Sequence, residues 1–299
     1  MRLPFKSLIA LIMSAYTSLC FSAGNPDLFK SILLQPPEKE QLTVIVELAR
    51  GTMSLIRTKG AQFDVVEQLP VSIGKNGYGK LIEGDKRTPV GVYDINGYID
   101  DGELPARYGF GAFTLSYPNF LDRKAKRTGS GIWIHGIDKQ LSSRPYQDSD
   151  GCVVIDNADL DKIKSTLDKR PRVILTDELP SGNAELIEQF KTSMANWHTA
   201  WESLDVEQYL AFYDEAFDNG QKDYTAWLAH KRRVGAQKEF IDVDISNVSL
   251  LRYPGNEMLI QAEFKQQYKS NNFSGSDIKR QYWRQQQNGS WRIIYEASI

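Results

Sequence analysis

The chain has few cysteines and few histidines, and this scarcity narrows the chemistry that it can perform. Two of its 299 residues are cysteine, Cys20 and Cys152, and three are histidine. Cys20 lies in a segment typical of a removable signal peptide, so the mature protein is expected to keep one thiol and to form no internal disulfide. His135, His198 and His230 are far apart in sequence. We therefore predict no metal-ligand cluster and no cofactor.

A charge excess of either sign is also missing. The 36 lysines and arginines nearly balance the 38 aspartates and glutamates, which gives a net charge of −2. Proteins that bind polyanions usually carry an excess of basic residues. We therefore expect no nucleic-acid partner.

The start of the chain has the three parts of a secretory signal. Arg2 and Lys6 supply positive charge, residues 8–19 are largely apolar, and the small residues Ser22 and Ala23 offer a cleavage site. The apolar run is short for a membrane span. We predict that residues 1–23 are a signal peptide and that the protein is exported to the periplasm or cell envelope. An uncleaved anchor is the alternative.

A chain of this length is expected to fold as two domains. After a lead-in at residues 24–41, residues 42–177 contain short apolar and β-branched runs typical of strands. One helix is predicted there, at residues 157–167, because Asp156 or Asn157 can cap it and Leu160, Ile163 and Leu167 share a face. Residues 178–184 have the composition of a linker.

From residue 185 to residue 299 the pattern changes to helices followed by strands. Helices are predicted over 186–201, 206–217 and 224–236, and strands over 241–251, 257–268, 278–286 and 291–296. Turns at 254–256 and 288–289 make the strands a meander. This order predicts an α+β unit in which a curved antiparallel sheet wraps the helices.

The thiol of Cys152 stands in a distinctive setting. It follows Ser149, Asp150 and Gly151, and a strand-like run ending in His135 and Gly136 lies upstream. A cysteine is mostly protonated at neutral pH and needs a nearby base, so this pattern indicates a nucleophile and its base. The alternative is a small buried hydrophobic residue. The segment 107–111 either borders the same cleft or packs through its aromatic rings.

Three motifs together resemble the L,D-transpeptidase (YkuD-type) catalytic domain of bacterial cell-wall enzymes. They are the loop at residues 84–91, the strand at residues 132–136 and the segment 149–153, and the resemblance covers about residues 42–177. It implies a mostly-β sandwich or barrel. Residues 185–299 resemble the cone-shaped fold of the nuclear-transport-factor-two type. The combination is similar to a branch that includes cell-shape-determining L,D-carboxypeptidases.

The resemblance also implies roles for particular residues. Cys152 would attack the carbonyl between an L-centre and a D-residue in a peptidoglycan stem peptide and form a thioester. His135 would move the proton, held by the backbone carbonyl of Gly136, and the N–H groups of Gly151 and Cys152 would stabilise the oxyanion. The acyl group would pass to an amine, as in transpeptidation, or to water, as in carboxypeptidation.

The sequence departs from the family pattern at two positions. Asp150 stands where many members have histidine or asparagine, and Val154 where many have arginine. Asp150 would oppose a thiolate unless it points away. Arg144, on the loop between His135 and Cys152, is predicted to replace the missing arginine as a substrate contact. A surface role for Arg144 is the alternative. The presence of Val154 in place of the family arginine slightly favours hydrolysis of the acyl-enzyme over transfer to an amine.

Two other functions compete with the enzyme hypothesis. One is a non-catalytic envelope module that binds peptidoglycan, in which the motif residues are relics. The other is a papain-like protease, which is disfavoured because the histidine precedes the cysteine and the domain is nearly all β. For residues 185–299 we expect either positioning of the polymeric substrate or contact with an envelope protein. The first domain is expected to hold its own complete core.

Overall fold

The structure, a computed structural model, describes residues 25–181 and 184–299. The predicted signal peptide with Cys20 lies outside the described residues, as do residues 182 and 183 of the predicted linker. The strands of the first domain are β1 (Gln41–Glu47), β2 (Thr52–Lys59), β3 (Gln62–Pro70), β4 (Ile73–Gly74), β5 (Gly91–Tyr93), β6 (Ile95–Asp100), β7 (Gly111–Leu115), β8 (Trp133–Gly136), β9 (Gln147–Ser149), β10 (Val153–Ile155) and β11 (Arg172–Thr176). Its helices are α1 (Phe120–Lys124) and α2 (Asn157–Leu167).

The first domain is a sandwich of two sheets. One sheet has the strand order β3-β2-β1-β11-β5, and the other has the order β10-β8-β7-β6. Apolar side chains of both sheets and of α2 meet in one buried core. The prediction of a mostly-β first domain is confirmed.

Helix α2 begins and ends at the predicted residues. The side chain of Asp156 accepts a hydrogen bond from the N–H of Ala158, which satisfies a free donor of the first turn. Leu160, Ile163 and Leu167 are buried in the core. The helix therefore follows directly from its cap and its apolar face.

The second domain contains α3 (Ala184–Glu202), α4 (Val206–Leu210) and α5 (Tyr224–Gly235), followed by β12 (Ile241–Tyr253), β13 (Leu259–Ser270), β14 (Ser274–Gln285) and β15 (Trp291–Ser298). The strands form one antiparallel meander in chain order. The predicted α+β class of this domain is confirmed. The predicted helix over 206–217 is wrong in length, because α4 ends at Leu210 and Phe212 then accepts a hydrogen bond from the N–H of Ile293 in β15.

The five-stranded sheet is buried on both faces. Val44 and Val46 of β1 point into the sandwich core, while Ile45 points to the opposite face, as strand alternation requires. On that face, residues of β1, β2, β5 and β11 pack against β12–β15 of the second domain. The 3-10 helix Pro26–Ser31, with Phe29 buried, joins the same cluster.

The two domains therefore share a third core. The first domain holds a core of its own, and in addition side chains on its other face, such as Ile45, Ile56 and Ile174, each 0 % exposed, are buried against the second domain. Each fully buried side chain of this kind contributes about 1.5–3 kcal/mol. Among the described residues, no helix is long and apolar enough to cross a membrane.

Candidate active site

The two residues of the predicted catalytic pair come from neighbouring parallel strands. Strand β10 pairs with β8 so that Val154 stands opposite His135. On β8, Ile134 points into the sandwich core and His135 points to the other face. Cys152 directly precedes β10. The parallel pairing thus brings the thiol and the imidazole to the wall of one cavity.

His135 is held in one tautomer. It is 4 % exposed, and its Nδ1 atom lies 2.7 Å from the carbonyl oxygen of Gly136. Since a carbonyl only accepts, Nδ1 carries the hydrogen and Nε2 of the neutral ring is left with a free lone pair. Burial is the main reason that the pKa of His135 is lowered to about 4. The hydrogen bond to Gly136 raises this pKa, and the charges of Arg144 and Arg107 lower it. At neutral pH the ring is therefore an unprotonated base.

Cys152 is a free, partly exposed thiol. Its Sγ atom is 3.5 Å from the carbonyl oxygen of Gly131. Burial raises the pKa of Cys152 to about 11, which exceeds the opposing effects of a backbone hydrogen bond from Trp133 and the charge of Arg144. The resting pair is thus a neutral thiol and a neutral imidazole. Such a pair reacts by proton transfer to the base during attack.

Gly151 lies in a tight loop whose backbone conformation favours glycine. Gly151 has φ +124°, and a Cβ there would lie 2.9 Å from the carbonyl oxygen of Arg87. Its N–H donates to Oγ of Ser149 at 3.1 Å, and this hydroxyl donates to the carbonyl oxygen of Cys152 at 2.6 Å. The Gly151 N–H is therefore already engaged in this conformation. The N–H of Cys152 has no acceptor among the described residues and is the better oxyanion donor.

A cavity of about 340 Å³ opens over the pair. Three cationic side chains line it, namely Lys80, Arg107 and Arg144. Lys80 is 4 % exposed, and its ammonium donates to Asp85 at 2.8 Å and to the carbonyl oxygen of Ile82 at 3.0 Å. Burial alone would raise the pKa of Asp85, but hydrogen bonds from Lys80 and from three backbone N–H groups lower it to about 2. Asp85 is therefore ionised, and its hydrogen bonds hold the conformation of the loop that contains Lys80.

Tyr108 packs directly on the imidazole. Its ring centroid is 5.0 Å from that of His135 in an edge-on arrangement, and 5.0 Å from that of Trp133. Arg107 lies beside it with its guanidinium 4.9 Å from the Tyr108 ring centroid. The segment 107–111 thus borders the cleft and also packs through its rings.

A side-chain amide fixes the end of β8. Nδ2 of Asn157 donates to the carbonyl oxygen of Ile137 at 3.0 Å, and Oδ1 accepts from the N–H of Phe110 at 3.1 Å. A Cβ on Gly136 would lie 2.0 Å from Oδ1, and a Cβ on Gly109 would lie 2.2 Å from it. Glycine at both positions lets Asn157 join the strand that carries His135 to the turn that carries Tyr108.

The predicted substrate contacts Asp150 and Arg144 both line the cavity, but they differ in how far they are already paired. Asp150 lines the cavity, with a side chain 77 % exposed that faces Lys75 at 3.9 Å, and its charge raises the pKa of Cys152. Arg144 also lines the cavity, but its Nε donates to Asp148 at 3.1 Å and its NH2 donates to the Asp148 carbonyl. Val154 is 1 % exposed and cannot contact a ligand.

Sequence reasoning did not assign Lys80, Asp85 or Asn157 to the site. Lys80 lines the cavity, whereas Asp85 and Asn157 support it through hydrogen bonds to neighbouring residues. The one sequence signal was the loop at residues 84–91, a motif of the family resemblance that contains Asp85. The carboxylate of Asp85 accepts hydrogen bonds from three backbone N–H groups, so it holds the conformation of this loop.

The second domain has a cavity of its own, of about 400 Å³. The ammonium of Lys231 lies 4.5 Å from the ring centroid of Trp227 and 5.4 Å from those of Trp201 and Tyr209. Burial lowers the pKa of Lys231, while the charge of Glu296 on the same cavity opposes this. This arrangement places a cation in an aromatic cage.

Fold and site together define a class of proteins in which an L,D-transpeptidase-type catalytic domain precedes a nuclear-transport-factor-two-like (NTF2-like) domain. Residues 41–175 match the family model YkuD, the L,D-transpeptidase catalytic domain, and residues 189–297 match the Cds6 C-terminal NTF2-like domain. Each domain thus matches one family model, and the resemblance seen in the sequence is confirmed. No curated protein sequence matches the chain.

Two solved proteins share both domains. Bd1075 of Bdellovibrio bacteriovorus is 26 % identical, with a TM-score of 0.76 over 90 % of this chain and 97 % of that one. The helical cell shape determining protein Pgp2 of Campylobacter jejuni is 25 % identical, with a TM-score of 0.74 over 92 % of this chain and 100 % of that one. The similarity thus extends over nearly the full length of both proteins.

Proposed function

We propose that this protein is a peptidoglycan-modifying cysteine enzyme that cleaves L,D peptide bonds of stem peptides through a thioester on Cys152. It is an L,D-transpeptidase or an L,D-carboxypeptidase. The observation that carries the proposal is the pairing of β8 and β10, which brings a free thiol and a neutral, oriented imidazole to one cavity.

The first half of the reaction forms the acyl-enzyme. The Cys152 thiol attacks the carbonyl carbon of the L-centre while its proton passes to Nε2 of His135. The carbonyl oxygen becomes an oxyanion, which the N–H of Cys152 stabilises. The intermediate collapses as the imidazolium returns the proton to the leaving amine, so that a thioester and the D-residue are formed.

The second half releases the acyl group. Water or an amine loses a proton to His135 and attacks the thioester, and the proton then returns to the Cys152 sulfur. Water gives a shortened stem peptide, whereas an amine gives a new peptide bond. Hydrolysis is favoured slightly, since the buried Val154 replaces an arginine that would contact stem-peptide carboxylates.

The biological setting is proposed from the same observations. The three-part pattern at residues 1–23 supports export, and a peptidoglycan substrate supports a location in the periplasm or cell envelope. The likeness to Pgp2, whose structure is described as that of a helical cell shape determining protein, supports a role in cell-wall remodelling and cell shape. The second domain is proposed to position polymeric peptidoglycan or to contact an envelope protein, with the Lys231 cavity as its binding surface.

Defined muropeptides test this function. Purified protein is incubated with stem tetrapeptides and stem pentapeptides, with and without an amine acceptor, and the products are identified by mass. Loss of the single D-residue beyond the L-centre of the tetrapeptide, or of the two residues beyond it in the pentapeptide, indicates carboxypeptidation, and replacement of the released part by the acceptor indicates transpeptidation. Binding without any product would instead favour the non-catalytic envelope module.

A further inference from the structure

The three cations of the catalytic cavity are not equally free to bind an anion. Lys80 is paired with Asp85, and Arg144 is paired with Asp148. Arg107 makes no ion pair with any carboxylate in residues 25–181 and 184–299; its NH2 donates to the hydroxyl of Tyr108 at 3.2 Å. Its guanidinium is exposed at the cavity wall and keeps further N–H donors for a ligand.

Tyr108 places this guanidinium on the His135 side of the cavity. The Tyr108 ring contacts both the imidazole and the Arg107 guanidinium. The charge of Arg144 and, to a smaller degree, that of Arg107 lower the pKa of the imidazole. The unpaired cation and the proton donor therefore both contact the Tyr108 ring.

If the proposed function holds, a stem peptide that ends at the leaving D-residue brings an anion to this place. His135 must protonate the leaving nitrogen, so the leaving D-residue lies beside the imidazole. In a residue at the chain end, the carboxylate carbon is about 2.5 Å from that nitrogen, because only the Cα lies between them. A free terminal carboxylate thus falls on the side of the cavity where Arg107 stands.

We propose that Arg107 binds the terminal carboxylate of the leaving D-residue and that the site thereby selects stem peptides with a free C-terminus. A guanidinium can hold a carboxylate through two parallel N–H donors. A stem peptide whose terminal carboxyl is blocked, as an amide or in a continuing peptide bond, lacks the second oxygen and the charge. This inference rests on the proposed function and specifies its substrate as an uncrosslinked peptide end.

Binding measurements separate this inference from the question of turnover. In a Cys152→Ala background, calorimetry gives the Kd of a stem tetrapeptide with a C-terminal acid and of the same peptide with a C-terminal amide. Both are measured with Arg107 present and with Arg107→Gln. Arg144→Gln tests the other cavity arginine, and Arg232→Gln, on the outside of the second domain, is the matched control.

With Arg107 present, the acid is expected to bind about 10- to 100-fold more tightly than the amide, the range for charge-assisted hydrogen bonds. In Arg107→Gln the two peptides should bind almost equally, and Arg232→Gln should keep the preference. Equal binding with Arg107 present, no binding of either peptide, or a preference that persists in Arg107→Gln overturns the proposal. So does a preference lost only in Arg144→Gln. An acid preference in a protein that never turns the peptide over supports the role of Arg107 and contradicts the proposed function.

Discussion

His135 donates the hydrogen on its Nδ1 atom to the carbonyl oxygen of Gly136, the next residue in the chain, across 2.7 Å. A backbone carbonyl thus does the orienting that an acidic side chain does in many triads. Because a carbonyl carries no full charge, it opposes the desolvation of the imidazole only partly, and the pKa of His135 stays at about 4. The relationship accounts for a base that is ready at neutral pH.

Replacing the base is expected to remove most of the chemistry. His135→Ala should lower turnover of a stem tetrapeptide by about 10²- to 10⁴-fold, the usual contribution of positioned proton transfer. Alkylation of Cys152 by iodoacetamide at pH 7 should slow as well, because the thiol loses its proton acceptor. His230→Ala, in the second domain, serves as the histidine control. Unchanged turnover and unchanged alkylation in His135→Ala would assign His135 a purely structural role.

The depressed pKa of His135 also predicts a pH dependence of stability. The unfolded chain binds a proton near pH 6.5 and the folded protein near pH 4, so the unfolded state holds more protons between these values. The contribution of His135 to the free energy of unfolding is therefore fully present above pH 6.5 and is lost as the pH falls toward 4. From the size of the pKa shift, the stability that is lost is on the order of 3 kcal/mol.

Urea denaturation at pH 7 and at pH 4.5 measures this contribution. The free energy of unfolding of the wild-type protein should fall more steeply with acidification than that of His135→Ala. The difference between the two proteins removes the effects of the other titrating groups. Parallel pH profiles would show that His135 does not titrate abnormally in the folded protein.

Asn157 is expected to act as a positioning residue for the base. Asn157→Ala removes the hydrogen bonds to Ile137 and Phe110 and should lower kcat about tenfold, since the strand end that carries Gly136 loosens. It should also move the acidic limb of the pH–rate profile upward as the imidazole becomes better solvated.

The N-cap of the same helix provides a matched control. Asp156→Ala removes the hydrogen bond to the N–H of Ala158 and should lower stability by about 1 kcal/mol. It leaves the contacts of Asn157 in place, so kcat and the pH profile should stay near wild type. If the two variants lose activity only in proportion to lost stability, Asn157 has no positioning role.

The second domain is best tested by a point substitution, because a truncation would expose the shared core. Lys231→Met removes the caged charge while keeping a side chain of similar length. If this cavity positions polymeric substrate, the ratio of activity on intact sacculi to activity on a soluble muropeptide should fall several-fold. Arg232→Met, on the next residue of α5, is the control. An equal ratio in both variants and in the wild-type protein would leave a partner-binding or structural role.

Local signals in the sequence predicted some elements to the residue. Helix α2 has a capping aspartate and three apolar residues on one face, and these are sufficient to define it. The apolar pattern over 206–217 is equally periodic, yet α4 ends at Leu210. Beyond it the Tyr213 hydroxyl contacts that of Tyr209 at 2.6 Å and Glu296 of β15 at 3.0 Å. Because strand β15 is distant in sequence, the periodicity of residues 206–217 could not reveal that their contacts with β15 end the helix early.

The same reasoning applies to the site. Cys152 and His135 stand in short motifs whose spacing is readable, so they could be selected before the fold was known. The sequence offered the segment 107–111 as a border of the cleft without selecting Arg107. Nothing in it indicated that Asn157 holds the end of β8 or that Ile45 lies between two domains. The sequence therefore predicted the reacting groups better than the residues that position them or bind the substrate.

The central claim is that Cys152 carries the acyl group, and intact-mass spectrometry tests it most directly. The protein is mixed with a stem tetrapeptide and quenched in acid, so that a thioester is preserved. The account predicts an adduct equal to the peptide without its terminal D-residue, located on Cys152 and absent from Cys152→Ala, together with loss of turnover in that variant. Product formation by Cys152→Ala at a rate near wild type would contradict the account.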